Sequence, residues 1–348
     1  MNATDNVTNS KGFDPPNNDK QPVIETVIAS GILSLIIAGG IAGNLLILTA
    51  IYRYSSLRTM TNVFVANLAV ADLLLSVLAM PFTLTSSITE DWVFGNTMCK
   101  LHGILNSLFC EASILTLTFV SLERFIAIIY PLQYHTLITP FSVKIMLCFI
   151  WFQAIVCASS PFLFSRYTFL WYEHLCTIDW AFKPIYSLTF TIIFFFLPFL
   201  IMIIFYGSIL RTALKQRNKI SGVTLGEFQT ESSYLKTLSV KKDDSNNLRK
   251  IKKENKATIM IAIVVGTFSV CWFPHATGVY CLLTQNCKWG KPFFVITTWL
   301  AMLNSALNSI IYGLMNTSFR RAFKSIIVCD RYYSDNDIIT VAEKSRRS

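Results

Sequence analysis

Residues 63–87 read VFVANLAVADLLLSVLAMPFTLTSS, an apolar stretch that contains a single carboxylate, Asp72. A helix needs about 20 apolar residues to cross roughly 30 Å of hydrocarbon, so this stretch is long enough to span a membrane. Because a carboxylate is costly in lipid, Asp72 is expected to face other helices. Six similar stretches occur, without the alternation typical of outer-membrane barrels. The sequence therefore predicts an all-α integral membrane bundle of seven transmembrane helices. The predicted spans run approximately from Val23 to Ile51, Val63 to Ser87, Leu101 to Tyr130, Val143 to Phe164, Ile185 to Leu210, Ala257 to Leu283 and Phe293 to Leu314.

Composition favours lipid as the solvent of this chain. Of its 348 residues, 53% are apolar and only 14% are charged, whereas a soluble domain usually carries about 25% charged residues. The net charge of +10 does not indicate nucleic-acid binding, because no soluble domain with a basic face is present. Met1–Gln21 is polar, and the apolar run after it is too long for a cleavable signal. The first span is expected to act as an uncleaved targeting signal.

The placement of Lys and Arg predicts the orientation. With the N-terminus outside, few of the 30 basic residues fall in outer segments, as the positive-inside rule requires. The sequons at Asn2 and Asn6 then lie outside as glycan acceptors. We expect a multi-pass protein of the plasma membrane with an extracellular N-terminus. The most basic inner loop carries Lys241, Lys242, Arg249, Lys250, Lys252 and Lys253.

The polar segments divide the chain into parts. Residues 1–22 form an extracellular tail, residues 23–314 the seven-helix domain, and residues 330–348 a cytoplasmic tail. The third inner loop, about 218–253, is expected to be either a solvated flexible linker or a partner contact through its ends. In residues 315–329, apolar side chains recur at helical spacing between basic ones, which predicts an amphipathic helix on the membrane surface.

The residues inside the spans now identify a family. Each span carries a short motif or a single marker residue. In chain order these are Gly43-Asn44, Asn67-Leu68-Ala69-Val70-Ala71-Asp72, Glu123-Arg124-Phe125, Trp151, Pro161, Pro198, Tyr206, Phe268, Cys271-Trp272-Phe273-Pro274 and Asn308-Ser309-Ile310-Ile311-Tyr312. This set, in this order, resembles the rhodopsin-like (class A) G protein-coupled receptors over roughly residues 23–329. The resemblance implies a receptor that binds a small extracellular ligand and activates heterotrimeric G proteins by outward movement of helix 6. Arrestin, a receptor kinase and membrane lipid are the other implied partners.

The resemblance assigns roles to the buried polar residues. It implies a sodium ion near Asp72; the alternative is a protonated Asp72 in a structural hydrogen-bond network. At the inner end, it implies that Arg124 pairs with Glu254 in the inactive state and is released on activation; the alternative is a static ion pair. The implied sodium ligands are Asp72, Ser113, Asn304, Ser305 and Asn308, and the implied switch and coupling residues are Glu123, Arg124, Leu132, Tyr206, Glu254, Asn308 and Tyr312.

The cysteines separate by side of the membrane. The resemblance implies a disulfide between Cys99 and Cys176 at the outer face, where the oxidising compartment permits it. Cys281 and Cys287 could form a second bridge, and Cys329 after the amphipathic helix is a candidate for palmitoylation. The cysteines within the spans are expected to be free thiols that act as small apolar residues.

Two departures from the family pattern concern the subfamily. Phe125 replaces the usual Tyr after Arg124, and Ser309 replaces the usual Pro in the seventh span. A small residue at the second position is similar to melatonin receptors, whereas other segments are similar to amine receptors. The sequence assigns no subfamily, and the ligand is expected to be an amine or a melatonin-like small molecule.

The candidate ligand pocket is carried over from the family. Asn106 stands where amine receptors have an Asp, so it supplies no charge, but Glu111 lies about one turn deeper. Glu111 either pairs with His275 or Thr191 in a structural network, or acts as counterion for a cationic ligand, or donates as a protonated acid. Aromatic residues form the expected wall. The expected pocket residues are Asn106, Cys110, Glu111, Phe190, Thr191, Phe194, Trp272, His275, Thr298 and Met302.

Other classes of protein fit less well. An opsin-like photoreceptor needs a Lys in the seventh span, where Met302 stands. A transporter or ion-conducting protein tends to show repeated halves and broken helices, which are not evident here. No nucleophile–base pair or metal-ligand spacing points to an enzyme.

Overall fold

The computed structural model describes residues 23–226, 236–284 and 287–328, with only the backbone course described for residues 213–226 and 236–258. Within these residues, seven helical segments are long and apolar enough to cross a membrane, which confirms the predicted fold. In chain order the elements are α1 (Val23–Arg53), α2 (Met60–Leu78), α3 (Met80–Thr89), α4 (Gly95–Ile129), α5 (Tyr134–Leu137), α6 (Pro140–Phe164), β1 (Tyr167–Leu170), β2 (Leu175–Ile178), α7 (Pro184–Thr191), α8 (Leu197–Gly226), α9 (Lys236–Leu283), α10 (Lys291–Met315) and α11 (Thr317–Ile327).

The third span, α4, forms the centre of the bundle. It packs against α2, α6 and α8, while α10 packs against α1 and α9. Large apolar side chains such as Leu35 and Val270 point outward with 75% and 67% of their surface exposed, as expected for residues facing lipid. Asp72, Glu111 and Glu123 are instead buried. The bundle therefore encloses its carboxylates and presents apolar surface outward.

Two spans are interrupted near prolines. The second span breaks at Ala79 between α2 and α3, just before Pro81. The fifth contains a π-helical turn, Ile192–Phe196, just before Pro198. Proline lacks the N–H that a regular helix requires, and the wide turn accommodates this loss. The wide turn places Phe195 inside the bundle, with 9% of its surface exposed.

The second outer loop folds over the bundle as a β-hairpin. Strands β1 and β2 are antiparallel, with Phe169 opposite Cys176. Cys176 forms the predicted disulfide with Cys99 at the start of α4. A Cβ atom at Gly103 would lie 2.3 Å from the ring of Tyr167, so only glycine lets the hairpin lie this close to α4. The disulfide between Cys281 and Cys287 is formed as well.

The inner segments are more helical than their composition suggested. Helices α8 and α9 extend to Gly226 and from Lys236, so much of the segment expected to be a linker, 218–253, has a helical backbone. After α10, the Asn316 side chain accepts hydrogen bonds from the backbone N–H groups of Ser318 and Phe319 and caps α11. Phe319 is buried, whereas Ile327 is exposed.

Candidate functional site

An outer cavity opens between the helices beneath the β-hairpin. Its main lobe has a volume of about 110 Å³, and a second lobe of about 40 Å³ lies beside it. Asn106, Cys110, Thr177, Trp272 and His275 line both lobes, so the two lie side by side. All ten residues expected in the pocket line this cavity: Asn106, Cys110, Glu111, Phe190, Thr191, Phe194, Trp272 and His275 in the main lobe, and Thr298 and Met302 in the second.

Glu111 does not form the structural pairs considered from the sequence. Its Oε1 atom and the Nδ1 atom of His275 are both buried without a hydrogen-bond partner. The hydroxyl of Thr191 donates instead to the backbone carbonyl of Ser187, 2.8 Å away, as threonine often does within a helix. Glu111 therefore lines the cavity and has a buried carboxyl oxygen without a hydrogen-bond partner.

A second acid, Glu173, lines the smaller lobe and was not expected. It lies in the turn between β1 and β2, is only 1% exposed, and its Oε1 atom has no hydrogen-bond partner. Burial raises its pKa to about 8. The next residue, His174, adopts the left-handed conformation with φ of 56°, which is uncommon outside glycine. Burial, and then the charge of Lys291, lower the pKa of His174 to about 4, although a hydrogen bond with the Ser86 backbone opposes them.

These two shifts predict a pH dependence of stability with a defined sign. Glu173 keeps its proton in the folded protein after the unfolded chain has lost it, so its contribution is lost as pH rises through about 8. His174 acts oppositely, because its contribution is complete above its unfolded value of 6.5 and is lost as pH falls towards 4. Of these two residues, Glu173 is therefore the one whose contribution to the free energy of unfolding changes between pH 6.5 and 8. The change is up to about 2 kcal/mol, at 1.36 kcal/mol per pH unit.

The measurement is the apparent melting temperature of the purified protein in detergent across pH 6.5–8. The melting temperature should fall more steeply with pH in the wild type than in Glu173→Gln. Other titrating groups affect both proteins alike, so the difference between the two curves reports Glu173. Parallel curves would show that Glu173 is not a protonated buried acid.

An aromatic stack connects the outer cavity to the middle of the bundle. Trp272 lines both lobes and stacks on Phe268, with ring centroids 5.9 Å apart. Phe195 contacts both rings, at 6.2 Å and 6.3 Å. The sequence singled out Trp272 and Phe268 but missed Phe195, because its inward direction depends on the wide turn before Pro198.

Below this stack, polar side chains surround Asp72. Ser113 donates to Asp72 Oδ1 at 2.9 Å, and the Asn308 side chain donates to Oδ2 at 2.8 Å. Asn304 and Ser305 are buried with them on α10. The side-chain Oδ1 atoms of Asn44, Asn304 and Asn308 are buried without hydrogen-bond partners. Oxygen atoms without donors beside a carboxylate fit the requirements of a small hard cation.

At the inner end, Arg124 is held by the side chains of Glu123 and Thr61. It donates to both carboxylate oxygens of Glu123 and to the Thr61 hydroxyl. Thr61 and Tyr134 each donate to Glu123 Oε1. The Arg124 side chain is 13% exposed and that of Glu123 is fully buried. Tyr134 on α5 was not singled out in the sequence, since nothing local indicated that α5 folds back onto α4.

Arg124 also lines an inner cavity of about 320 Å³. Met260 and Ile261 of α9, Met315 at the end of α10 and Asn316 before α11 surround the same space. Tyr312 is buried nearby with its ring 5.8 Å from that of Phe319, and its hydroxyl has no hydrogen-bond partner. Tyr206 is partly buried against the same core.

Some expected residues fall outside the described part of the chain. Asn2, Asn6 and Cys329 lie beyond it, and the side chain of Glu254 belongs to the region for which only the backbone is described. Leu132 is described and is 96% exposed between α4 and α5.

Known proteins that resemble this chain are also seven-span membrane proteins. The profile described as 7 transmembrane receptor (rhodopsin family) matches residues 43–312. G-protein coupled receptor 161 of Mus musculus is 32% identical over 309 residues, which cover 84% of this chain and 56% of that protein. The chain thus spans little more than half the length of that relative.

Two further relatives match over most of their own length. The histamine H2 receptor of Rattus norvegicus is 33% identical over 312 residues, which cover 87% of this chain and 80% of that receptor. The octopamine receptor beta-2R of Chilo suppressalis is 32% identical over 313 residues, covering 86% and 79% respectively. Each of these two matches covers more than four fifths of this chain.

Proposed function

The chain belongs to the rhodopsin family of seven-transmembrane receptors, and on that premise we propose that it is a plasma-membrane receptor that couples a small extracellular ligand to a heterotrimeric G protein. One observation carries the proposal: α9, the helix that contains Pro274, lines the outer cavity with one end and the inner cavity with the other. Its residues Trp272 and His275 face the outer cavity, and Met260 and Ile261 face the inner one. A ligand that moves the outer part of α9 therefore changes the space at its inner end.

The mechanism is a shift between two packings of α9. Pro274 lies inside the helix and weakens its hydrogen bonding there. A ligand seated against Trp272 displaces the stack with Phe268 and Phe195, and favours the state with the inner half of α9 moved outward. The ligand can shift the equilibrium only by its difference in affinity for the two states.

At the inner face, outward movement of α9 enlarges the cavity that Arg124 lines. In the proposal, Arg124 leaves Glu123 and Thr61 and meets the C-terminal helix of a Gα subunit, and Tyr206 and Tyr312 turn towards the vacated space. Glu254 is proposed to hold Arg124 in the inactive state together with Glu123. The exposed Leu132 supplies an apolar contact for the G protein surface.

A sodium ion is proposed to bind at Asp72. Ser113, Asn304, Ser305 and Asn308 would complete the site, and the free side-chain oxygens of Asn304 and Asn308 support this. When bound, the ion supplies the positive charge that a buried carboxylate otherwise lacks. Without it, the Asp72 carboxylate relies on hydrogen bonds such as those from Ser113 and Asn308.

The ligand is proposed to be a small amine or a melatonin-like molecule. The names of the histamine H2 and octopamine receptor relatives support an amine, and the unpaired oxygen of Glu111 supplies the counterion that Asn106 cannot. Phe190 and Phe194, with ring centroids 4.7 Å apart, provide an aromatic wall for the apolar part of such a ligand.

The proposal also covers the two termini and the other partners of the inner face. The N-terminus lies outside with glycans on Asn2 and Asn6, and Cys329 carries a palmitoyl group beside the membrane-surface helix α11. Arrestin and a receptor kinase act on the inner face. None of these assignments affects how the two cavities communicate.

The test is guanine-nucleotide exchange in membranes that carry this chain, measured across a panel of amines and neutral indole-type ligands. Glu111→Gln keeps the shape of the side chain and removes its charge. A charged hydrogen bond contributes about 1.5–3 kcal/mol, so amine potency should fall about 10–100-fold, while neutral compounds keep theirs.

Glu90→Gln is the matched control, because Glu90 ends α3 at the outer face and lines neither lobe of the cavity. Its dose–response curves should overlay those of the wild type. Unchanged amine potency in Glu111→Gln would dismiss the counterion role, and the absence of exchange with every ligand and G protein class would refute the receptor assignment.

A further inference from the structure

Glu173 is placed unusually for an acid in a hairpin turn. Such residues are normally solvent-exposed, yet Glu173 is 1% exposed. The left-handed His174 turns the chain inward, and all four residues of β2 that follow are buried. Glu173 consequently lines the smaller lobe of the cavity, together with Asn106, Thr298 and Met302.

No cation among the described residues neutralises Glu173. The salt bridges there join Arg124 to Glu123 and Arg166 to Asp179. The charge of Lys291 acts on His174 and on Glu90 rather than on Glu173. A buried carboxyl oxygen without a partner is costly, so the site is stabilised by any ligand group that brings a proton donor or a positive charge to it.

Each lobe of the outer cavity is therefore lined by one acid with an unpaired, buried carboxyl oxygen, Glu111 in the main lobe and Glu173 in the smaller one. Trp272 and His275 lie between them, since both line the two lobes. The smaller lobe, at about 40 Å³, exceeds the roughly 10–15 Å³ that a water-sized group needs. An ammonium group is of that size, whereas an aromatic ring is not.

We propose that Glu173 is a second recognition carboxyl and that the ligand is a compact molecule with two basic nitrogen groups, one bound at Glu111 and the other at Glu173. This inference rests on the proposed receptor function and narrows its ligand class from amines to dibasic amines. Cation binding at Glu173 releases the proton that this side chain holds at neutral pH. Dibasic ligands should therefore bind more tightly as pH rises from 6.5 to 8, a range in which His174 is neutral throughout.

The experiment compares diamines with monoamines on the purified full-length chain in detergent. The probes are α,ω-diaminoalkanes of two to six carbons and the monoamine of each length, and the readout is the ligand concentration that raises the apparent melting temperature. At least one diamine should act at about tenfold lower concentration than its monoamine. Glu173→Gln should remove that advantage and leave the monoamine curve in place.

Two variants make the comparison specific. Glu90→Gln should retain the full diamine advantage, since it changes an outer acid that does not line the cavity. Glu173→Asp, which keeps a carboxyl on a shorter side chain, should retain part of it, so a loss confined to Glu173→Gln cannot be attributed to misfolding of the hairpin.

The proposal is overturned if no diamine exceeds its monoamine on the wild type, or if the advantage survives in Glu173→Gln. Its failure is distinguishable from failure of the proposed function, because the latter is decided by monoamine-driven nucleotide exchange and its loss in Glu111→Gln, neither of which requires Glu173.

Discussion

Replacing Arg124 with alanine is expected to reduce ligand-stimulated guanine-nucleotide exchange strongly while leaving ligand binding in the outer cavity intact. Arg124 lines the inner cavity, and it is the positive group that we propose an entering Gα helix contacts. Loss of its charged hydrogen bonds to that helix corresponds to about 1.5–3 kcal/mol, which lowers exchange by about 10–100-fold. Exchange is measured in membranes, and ligand binding by the shift in apparent melting temperature.

Arg124→Ala also leaves Glu123 buried without its cation, which destabilises the protein by a few kcal/mol. Thr61→Val separates the effect on the switch from the effect on stability. It removes only the hydroxyl that accepts a hydrogen bond from Arg124 and donates one to Glu123. This variant keeps the charge pair and loosens it, so exchange without ligand should rise. Arg320→Ala on the exposed side of α11 is the control and should behave as the wild type. Normal exchange in Arg124→Ala, or unchanged basal exchange in Thr61→Val, would show that this cluster is not the switch.

The spans could be predicted because their signal is local and physical. Hydrocarbon requires about 20 apolar residues in a row, and each run that met this requirement is a helical span whose ends lie within six residues of the expected ones. The backbones of α8 and α9 continue beyond the fifth and sixth spans, to Gly226 and from Lys236. The pocket residues were predictable for a different reason. Their positions were carried over from the family by counting from fixed points such as Cys99 and Trp272, and helical geometry preserves such counts over a few turns.

What the sequence did not predict depends on contacts between distant segments. Glu173 was overlooked because a loop acid is normally solvated; its burial requires the hairpin, the inward turn at His174 and the tether at Cys176. Phe195 faces inward only through the wide turn before Pro198. Tyr134 reaches Glu123 only because α5 folds back beneath α4. In each case the direction of a side chain is set by backbone geometry that no short pattern encodes.

The Cys99–Cys176 disulfide ties the β-hairpin to α4. Removing the Cys99–Cys176 bridge with serine at both positions should destabilise the protein by about 4–5 kcal/mol, since the chain-entropy cost of closing a loop rises with its length, and this bridge joins residues 77 apart. The Cys281–Cys287 bridge spans only 6 residues, for which the same relation gives about 2 kcal/mol. Apparent melting temperatures of the two double variants in detergent give the comparison.

The two bridges should also differ in what they do to the ligand. Cys176 immediately precedes Thr177, which lines both lobes, and follows Leu175, which lines the smaller one. Loss of this bridge releases the hairpin that holds Glu173 in place, so diamine binding should weaken more than monoamine binding. Cys281 and Cys287 line neither lobe, and their removal should lower stability without changing that ratio. An equal effect of the two double variants on both stability and ligand ratio would mean that the hairpin is held by its packing against α4 and not by Cys176, and that Glu173 is positioned without the tether.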